Sequence, residues 1–159
     1  MIEKFSFVSL KLEREEEMTR KYRKVAAKPF DSPAQVFEAS KRVIGNNVQE
    51  TLMLWGTDTR NQPLCMSIVG IGSMTQSLAP VNPILKILLL SGATRAFIVH
   101  NHPSGLSYPA ELQFSKQDVA ISQRLNEACE LVDIMLADSL IVCDDKYASL
   151  RQEGLLCNS

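Results

Sequence analysis

Residues 93–118 read ATRAFIVHNHPSGLSYPAELQFSKQD, and the fold turns on how that stretch is taken. The apolar run Ala96, Phe97, Ile98 and Val99 predicts a strand. It delivers His100 and His102 to the point where Pro103, Ser104 and Gly105 end it. Side chains of an extended segment alternate between faces, so the two imidazoles point one way and Asn101 the other. They are the only two histidines in the protein. Two imidazoles on one face at a strand end make half of a zinc site. A third protein ligand is then needed, and a catalytic zinc keeps a fourth position open for water.

Outward from this strand the chain alternates between helical and extended patterns. On the C-terminal side, residues 115–132 carry Val119, Ile121, Leu125, Ala128 and Leu131, mostly at helical spacing. A strand over 133–143, a tight turn at Asp144 and Asp145, and a closing strand over 147–150 follow. On the N-terminal side, Asn82-Pro83 reads as a cap followed by a first-turn proline, and residues 84–90 are apolar nearly all round. Such a helix is expected to be buried on most of its surface, with Gly92 closing it. A helix bounded by strands suggests a crossover unit. Further upstream, Ser32-Pro33 starts a helix over 33–44 that Gly45 stops. A strand over 50–55, a turn over 57–62 and a strand over 63–69 make a hairpin, with residues 71–78 as another extended piece. The fold class is α/β, a mixed β-sheet flanked by helices.

The first thirty residues differ from the rest. Phe5, Phe7, Val8, Leu10 and Leu12 suggest a short strand, and residues 13–24, EREEEMTRKYRK, are almost entirely charged. The segment reads as a solvated helix or loose arm, with partner docking as the alternative. Residues 31–159 are left as one domain, a length that buries a real core. A net charge of −1 offers no basic footprint for nucleic acid. Cys65, Cys129, Cys143 and Cys157 are scattered, which predicts thiols in a reducing cytoplasm rather than a disulfide framework. The opening MIEKFSFVSL is too short and polar for a signal peptide, and no apolar run approaches membrane-spanning length. The expected location is cytoplasmic.

Asp118 is the candidate third ligand, on the first turn of the helix after the histidine loop. Ser115-x-x-Asp118 is also a capping box, and one carboxylate can serve both ends. Two imidazoles and a carboxylate leave a position for a water whose pKa falls toward ~7. Glu50, at the start of the first hairpin strand, is the candidate general base, with an exposed strand-edge glutamate as the alternative. Ser115 is the candidate donor to an oxyanion.

His100-Asn101-His102-Pro103-Ser104-Gly105, with Glu50 upstream and Ser115-x-x-Asp118 downstream, resembles the JAMM (MPN-type) metallopeptidase signature, and in detail its RadC-like branch. The similarity runs over about residues 33–156, through Pro83 to Lys86, Asp138 to Ile141 and Tyr147 to Leu150. The resemblance implies a cytidine-deaminase-like α/β architecture, zinc held by His100, His102 and Asp118, Glu50 as base and Ser115 as oxyanion donor. The family's spacing sets the serine and aspartate at Ala110 and Gln113; a five-residue insertion after Gly105 brings Ser115 and Asp118 into line instead. Family members also usually carry histidines where this chain has Pro80 and Ser139. The DNA-binding segment that opens long members is not matched by the first thirty residues.

Two functions of different kind follow. The first is a zinc-dependent hydrolase acting on a peptide or isopeptide bond of a peptide or protein substrate. The second is a non-catalytic interaction module in a DNA-repair or mobile-element setting; a homo-oligomer is compatible with either. A zinc nucleobase deaminase is excluded, because P-C-x-x-C and a glutamate two residues after the histidine are both absent. The HNH nuclease disperses its three residues, so the contiguous letters here are coincidence. Trp55 is expected in the core or a groove wall, Cys129 and Cys143 as packed thiols, and Tyr108 on a surface loop.

Overall fold

The computed structural model describes residues 23–24, 26–45, 47–72, 80–102, 112–143 and 145–156. The chain runs α1 (Pro33–Ile44), β1 (Thr51–Thr57), β2 (Pro63–Ile71), α2 (Val81–Ser91), β3 (Arg95–Asn101), α3 (Lys116–Glu130), β4 (Met135–Cys143) and β5 (Lys146–Ser149). The strands form one mixed sheet in the order β2-β1-β3-β4-β5. β1 is antiparallel to both β2 and β3, β3 is parallel to β4, and β5 returns antiparallel to β4. Both β2 to β3 and β3 to β4 are therefore joined by helical crossovers, as parallel strands require.

Strand alternation sorts the core onto two faces. Leu52, Leu54, Ala96, Ile98 and Leu136 pack with Ile84 and Leu88 of α2 and with Ile121, Leu125 and Cys129 of α3. Met53, Trp55, Phe97, Val99, Leu140 and Val142 pack with Val36, Phe37, Ala39 and Ile44 of α1. The parity of β4 changes partway because Ala96 pairs with Leu136 while Phe97 pairs with Asp138. This bulge at Ala137 turns Ser139 toward the α3 face. Trp55 is core: it is buried, its Nε1 donates to Ser40 Oγ at 2.9 Å, and Phe30 meets it edge-on at 5.2 Å.

Several boundaries and faces depart from the sequence reading. α2 starts after Pro80, so Asn82 and Pro83 lie within its first turn and do not cap it. It is also not buried all round: Ile84 and Leu88 face the core, while Leu89 is 55% exposed. The helix lies on one side of the sheet, so only one stripe meets apolar neighbours. On α3 the inward stripe is Ile121, Leu125 and Cys129; Leu131 follows the helix and is 87% exposed. Glu50 precedes β1 rather than opening it, and Ile71 ends β2. The strand expected over 5–12, the extended piece beyond Gly72, Tyr108, Asp144, Cys157 and most of the charged arm lie outside the described residues. Cys65, Cys129 and Cys143 form no disulfide. Cys129 is buried, and burial, then Glu130, pushes its thiol up to about 11.

Candidate metal centre

β3 carries His100 on its α3-facing side, and His102 directly follows the strand's last residue, Asn101. Their Nε2 atoms come within 3.2 Å, with ring centroids 5.0 Å apart. α3 approaches from the same side and sets Asp118 Oδ1 3.4 Å from His100 Nε2. Among the described residues, this is the one group of three His, Cys, Asp or Glu side chains with its ligand atoms gathered this closely, all within 4.8 Å. Four ligands at ~2.0–2.1 Å around a tetrahedral zinc stand roughly 3.3 Å from one another. The His100–His102 and His100–Asp118 separations, 3.2 and 3.4 Å, match that edge. The donor set, two neutral imidazoles and a carboxylate, is also one that zinc accepts.

Asp118 divides its carboxylate between two tasks. Oδ2 accepts from Ser115 N at 2.8 Å and from Ser115 Oγ at 2.7 Å, while Oδ1 faces the histidines. Asp118 N in turn donates to Ser115 Oγ at 3.1 Å. The capping box is real, and it aims the carboxylate at the cluster instead of competing with that role. Gln113, where the family's unmodified spacing sets an aspartate, is exposed; Ala110 lies outside the described residues.

Glu50 reaches the same place from β1. Leu52 pairs with His100 across the antiparallel β1–β3 ladder, so Glu50, two residues earlier, falls on the face of the histidines. It lines a small pocket with His100, Asp118, Leu52, Ile98, Ile121, Ser122 and Ser139. The pocket holds about 20 Å³, room for one water molecule. A larger open hollow of about 570 Å³, beside Tyr147 and Gln152, is lined by none of the cluster. The small pocket is lined by His100, Asp118 and Glu50, and the large one by none of them.

The electrostatics suit a cation. Burial holds His100 at about 4, against the opposing pull of Asp118, so its ring is neutral at physiological pH. Burial also lowers His102. Burial, and after it the Asp118 charge, raises Glu50 above the ordinary carboxylate range. A positive ion beside Asp118 offsets that repulsion. Sequence reasoning missed the Ser122–Ser139 pair, whose hydroxyls lie 2.9 Å apart in the pocket wall. Ser122 follows Asp118 by one helical turn, which is a legible signal; Ser139 depends on the bulge, which is not.

The sequence profile of the RadC-like JAB domain family matches residues 30–155. The chain belongs to that family. The match covers every element from α1 to β5, so the RadC-like JAB domain accounts for the mixed sheet and three helices. Among its relatives, a UPF0758 protein of Streptococcus gordonii is 34% identical over 122 residues, 77% of this chain and 52% of the relative. A UPF0758 protein of Streptococcus suis is 37% identical over 111 residues, 70% of this chain and 43% of the relative. One from Methanosarcina mazei is 30% identical over 127 residues, 80% and 53% of the two chains. The chain thus spans about half the length of the curated relatives it matches. Among the described residues of this RadC-like JAB domain, no helix is long and apolar enough to cross a membrane.

Proposed function

We propose that this RadC-like JAB domain is a zinc-dependent hydrolase of peptide or isopeptide bonds. The observation that carries the reading is the spacing of His100 Nε2, His102 Nε2 and Asp118 Oδ1, with Glu50 in the same pocket. His100, His102 and Asp118 are the residues that would hold the metal. When bound, zinc supplies Lewis acidity, which makes water a nucleophile near neutral pH and polarises a carbonyl.

The chain's own groups then divide the proton work. Glu50, its carboxyl raised toward neutrality by burial and Asp118, accepts a proton from the attacking water as the new C–O bond forms. It returns that proton to the amide nitrogen as the C–N bond breaks, releasing a carboxylic acid and an amine. Ser115 is assigned the oxyanion, turning its hydroxyl from Asp118 to the developing charge. Leu52, Ile98 and Ile121 wall the pocket and limit bulk water. The reading places this work on a peptide or protein substrate in the cytoplasm, where Cys65 and Cys129 stay reduced.

The test is hydrolysis by the zinc-loaded chain of a quenched fluorescent peptide containing both α-linked and lysine ε-linked amides. Turnover is expected, with Glu50→Gln lowering it by about 10²–10⁴-fold and leaving bound zinc unchanged. Equal turnover in the variant would remove Glu50 from the reaction. A second reading, a metal-bearing interaction module without turnover, is favoured by the Ser115 hydroxyl already being given to Asp118. Zinc binding without hydrolysis of either linkage selects it.

A further inference from the structure

We propose that Asn101, between the two histidines, is a positioning residue that fixes the Glu50 carboxylate by stapling the main chain of residues 47–51 to the end of β3. The inference rests on Glu50 being the base of the site. Strand alternation turns Asn101 away from the cluster, onto the opposite face, where it is 1% exposed. There its Oδ1 accepts from Thr51 N at 2.7 Å, and its Nδ2 donates to Asn47 O at 3.0 Å and Gln49 O at 3.2 Å. The backbone on both sides of Glu50 is thus held by one carboxamide.

The staple stands where β3 stops pairing with β1, although β2 still pairs with β1 as far as Thr51 opposite Ile71. The β1–β3 ladder pairs Leu52 with His100 and goes no further toward Glu50. Beyond it, Glu50 O accepts from Gly72 N at 2.7 Å, and the remaining bonds are local: Asn47 Nδ2 to Thr51 Oγ1 at 3.1 Å, and Thr51 Oγ1 to Gln49 O at 3.1 Å. Asn101 is the link from this segment to the strand that carries the histidines. A carboxamide is the group the place requires, since it offers one acceptor and two donors. An apolar side chain would strand the N–H of buried Thr51 and lose the ties to Asn47 O and Gln49 O. A carboxylate would keep Thr51 but set an acceptor against Asn47 O and Gln49 O. The -His-Asn-His- order thus gives ligands on one face and, on the other, the brace for the residue that works beside them.

A double-mutant cycle tests this, using Asn101→Ala, Glu50→Gln and their combination in the zinc-loaded chain with the quenched peptide above. Asn101→Ala is expected to lower kcat by about 10–100-fold, with KM and zinc stoichiometry held, because misplacing a catalytic group by about 1 Å costs on that order. In the Glu50→Gln background, the same change is expected to alter kcat by less than about twofold, since coupled residues are non-additive. Amide hydrogen exchange supplies a readout that needs no turnover. Thr51 N–H is expected to exchange at least about tenfold faster in Asn101→Ala, while Met53 to Trp55 keep their protection. An equal kcat loss in both backgrounds, loss of zinc, or exchange rising uniformly along β1 overturns the proposal. If Asn101→Ala does not fold, Asn101→Asp carries the same cycle with the same expected direction. Absence of Glu50-dependent turnover in the parent chain, with Thr51 exchange responding as expected, identifies the hydrolase reading as the one that failed.

Discussion

Asp118 is a residue whose single carboxylate has two addresses, the amide end of its own helix and the imidazoles of β3. Asp118→Asn keeps an oxygen for the cap, so thermal stability is expected to change little while zinc affinity falls. The fall should exceed the ~10–100-fold that loss of an outer-shell partner costs. Asp118→Ala removes both contacts and is expected to lose about 1 kcal/mol of stability besides. Calorimetry and competition with a zinc chelator read the two effects separately. At this scale much of the cluster was visible in the letters. Two histidines at i and i+2 before Pro103 face one way by geometry alone, and Ser115-x-x-Asp118 marks a helix start. What stayed hidden was the reverse face: alternation turns Asn101 away from the histidines, but the letters do not show Thr51 N and the carbonyls of Asn47 and Gln49 around it.

Elements position these residues through a few close approaches. β1 lies between β2 and β3, and at Gly56 it leaves no room on the α2 side. A Cβ placed there stands 2.6 Å from Cys65 Sγ and 2.9 Å from Ala93 Cβ. Gly56→Ala is therefore expected to destabilise the fold by about 1–3 kcal/mol, measured by chemical denaturation, although the substitution raises β-propensity. α1 was legible to the residue, because Ser32-Pro33 and the apolar stripe ending at Ile44 agree with each other. α2 was not, since Asn82-Pro83 carries a strong start signal yet the helix begins at Val81. Proline is tolerated anywhere in a first turn, so the letters do not choose among its positions. Nor do they show the Ala137 bulge, which decides that Ser139 faces the site; bulges arise from pairing, not from local pattern.

On the scale of the whole molecule, the sheet and α3 together force titratable groups into a dry place, and this sets a pH dependence. His100 titrates at about 4 in the fold, below the ~6.5 of an unfolded chain. Between these values the unfolded state binds more protons, so the metal-free fold loses stability as pH falls through that window and levels off below it. His102, also lowered, has the same sign; Glu50, raised, works the other way just above the ordinary carboxylate range. Denaturation of metal-free protein at about pH 7 and about pH 5 should show the lower stability at the acidic value, by a few kcal/mol at most. Class and architecture were legible here because strand and helix patterns alternate throughout residues 33–150, whereas strand order was not. That β1 sits between β2 and β3 comes from long-range pairing, and it brings Glu50 beside His100, fifty residues away in sequence, on a path no local rule describes.

The most direct test is the zinc content of the purified chain and of its His100→Ala variant after dialysis against a weak chelator, by elemental analysis. One zinc per chain in the parent and its near-complete loss in the variant is the predicted result. Zinc held equally by both, or by neither, would contradict a metal centre built on His100, His102 and Asp118.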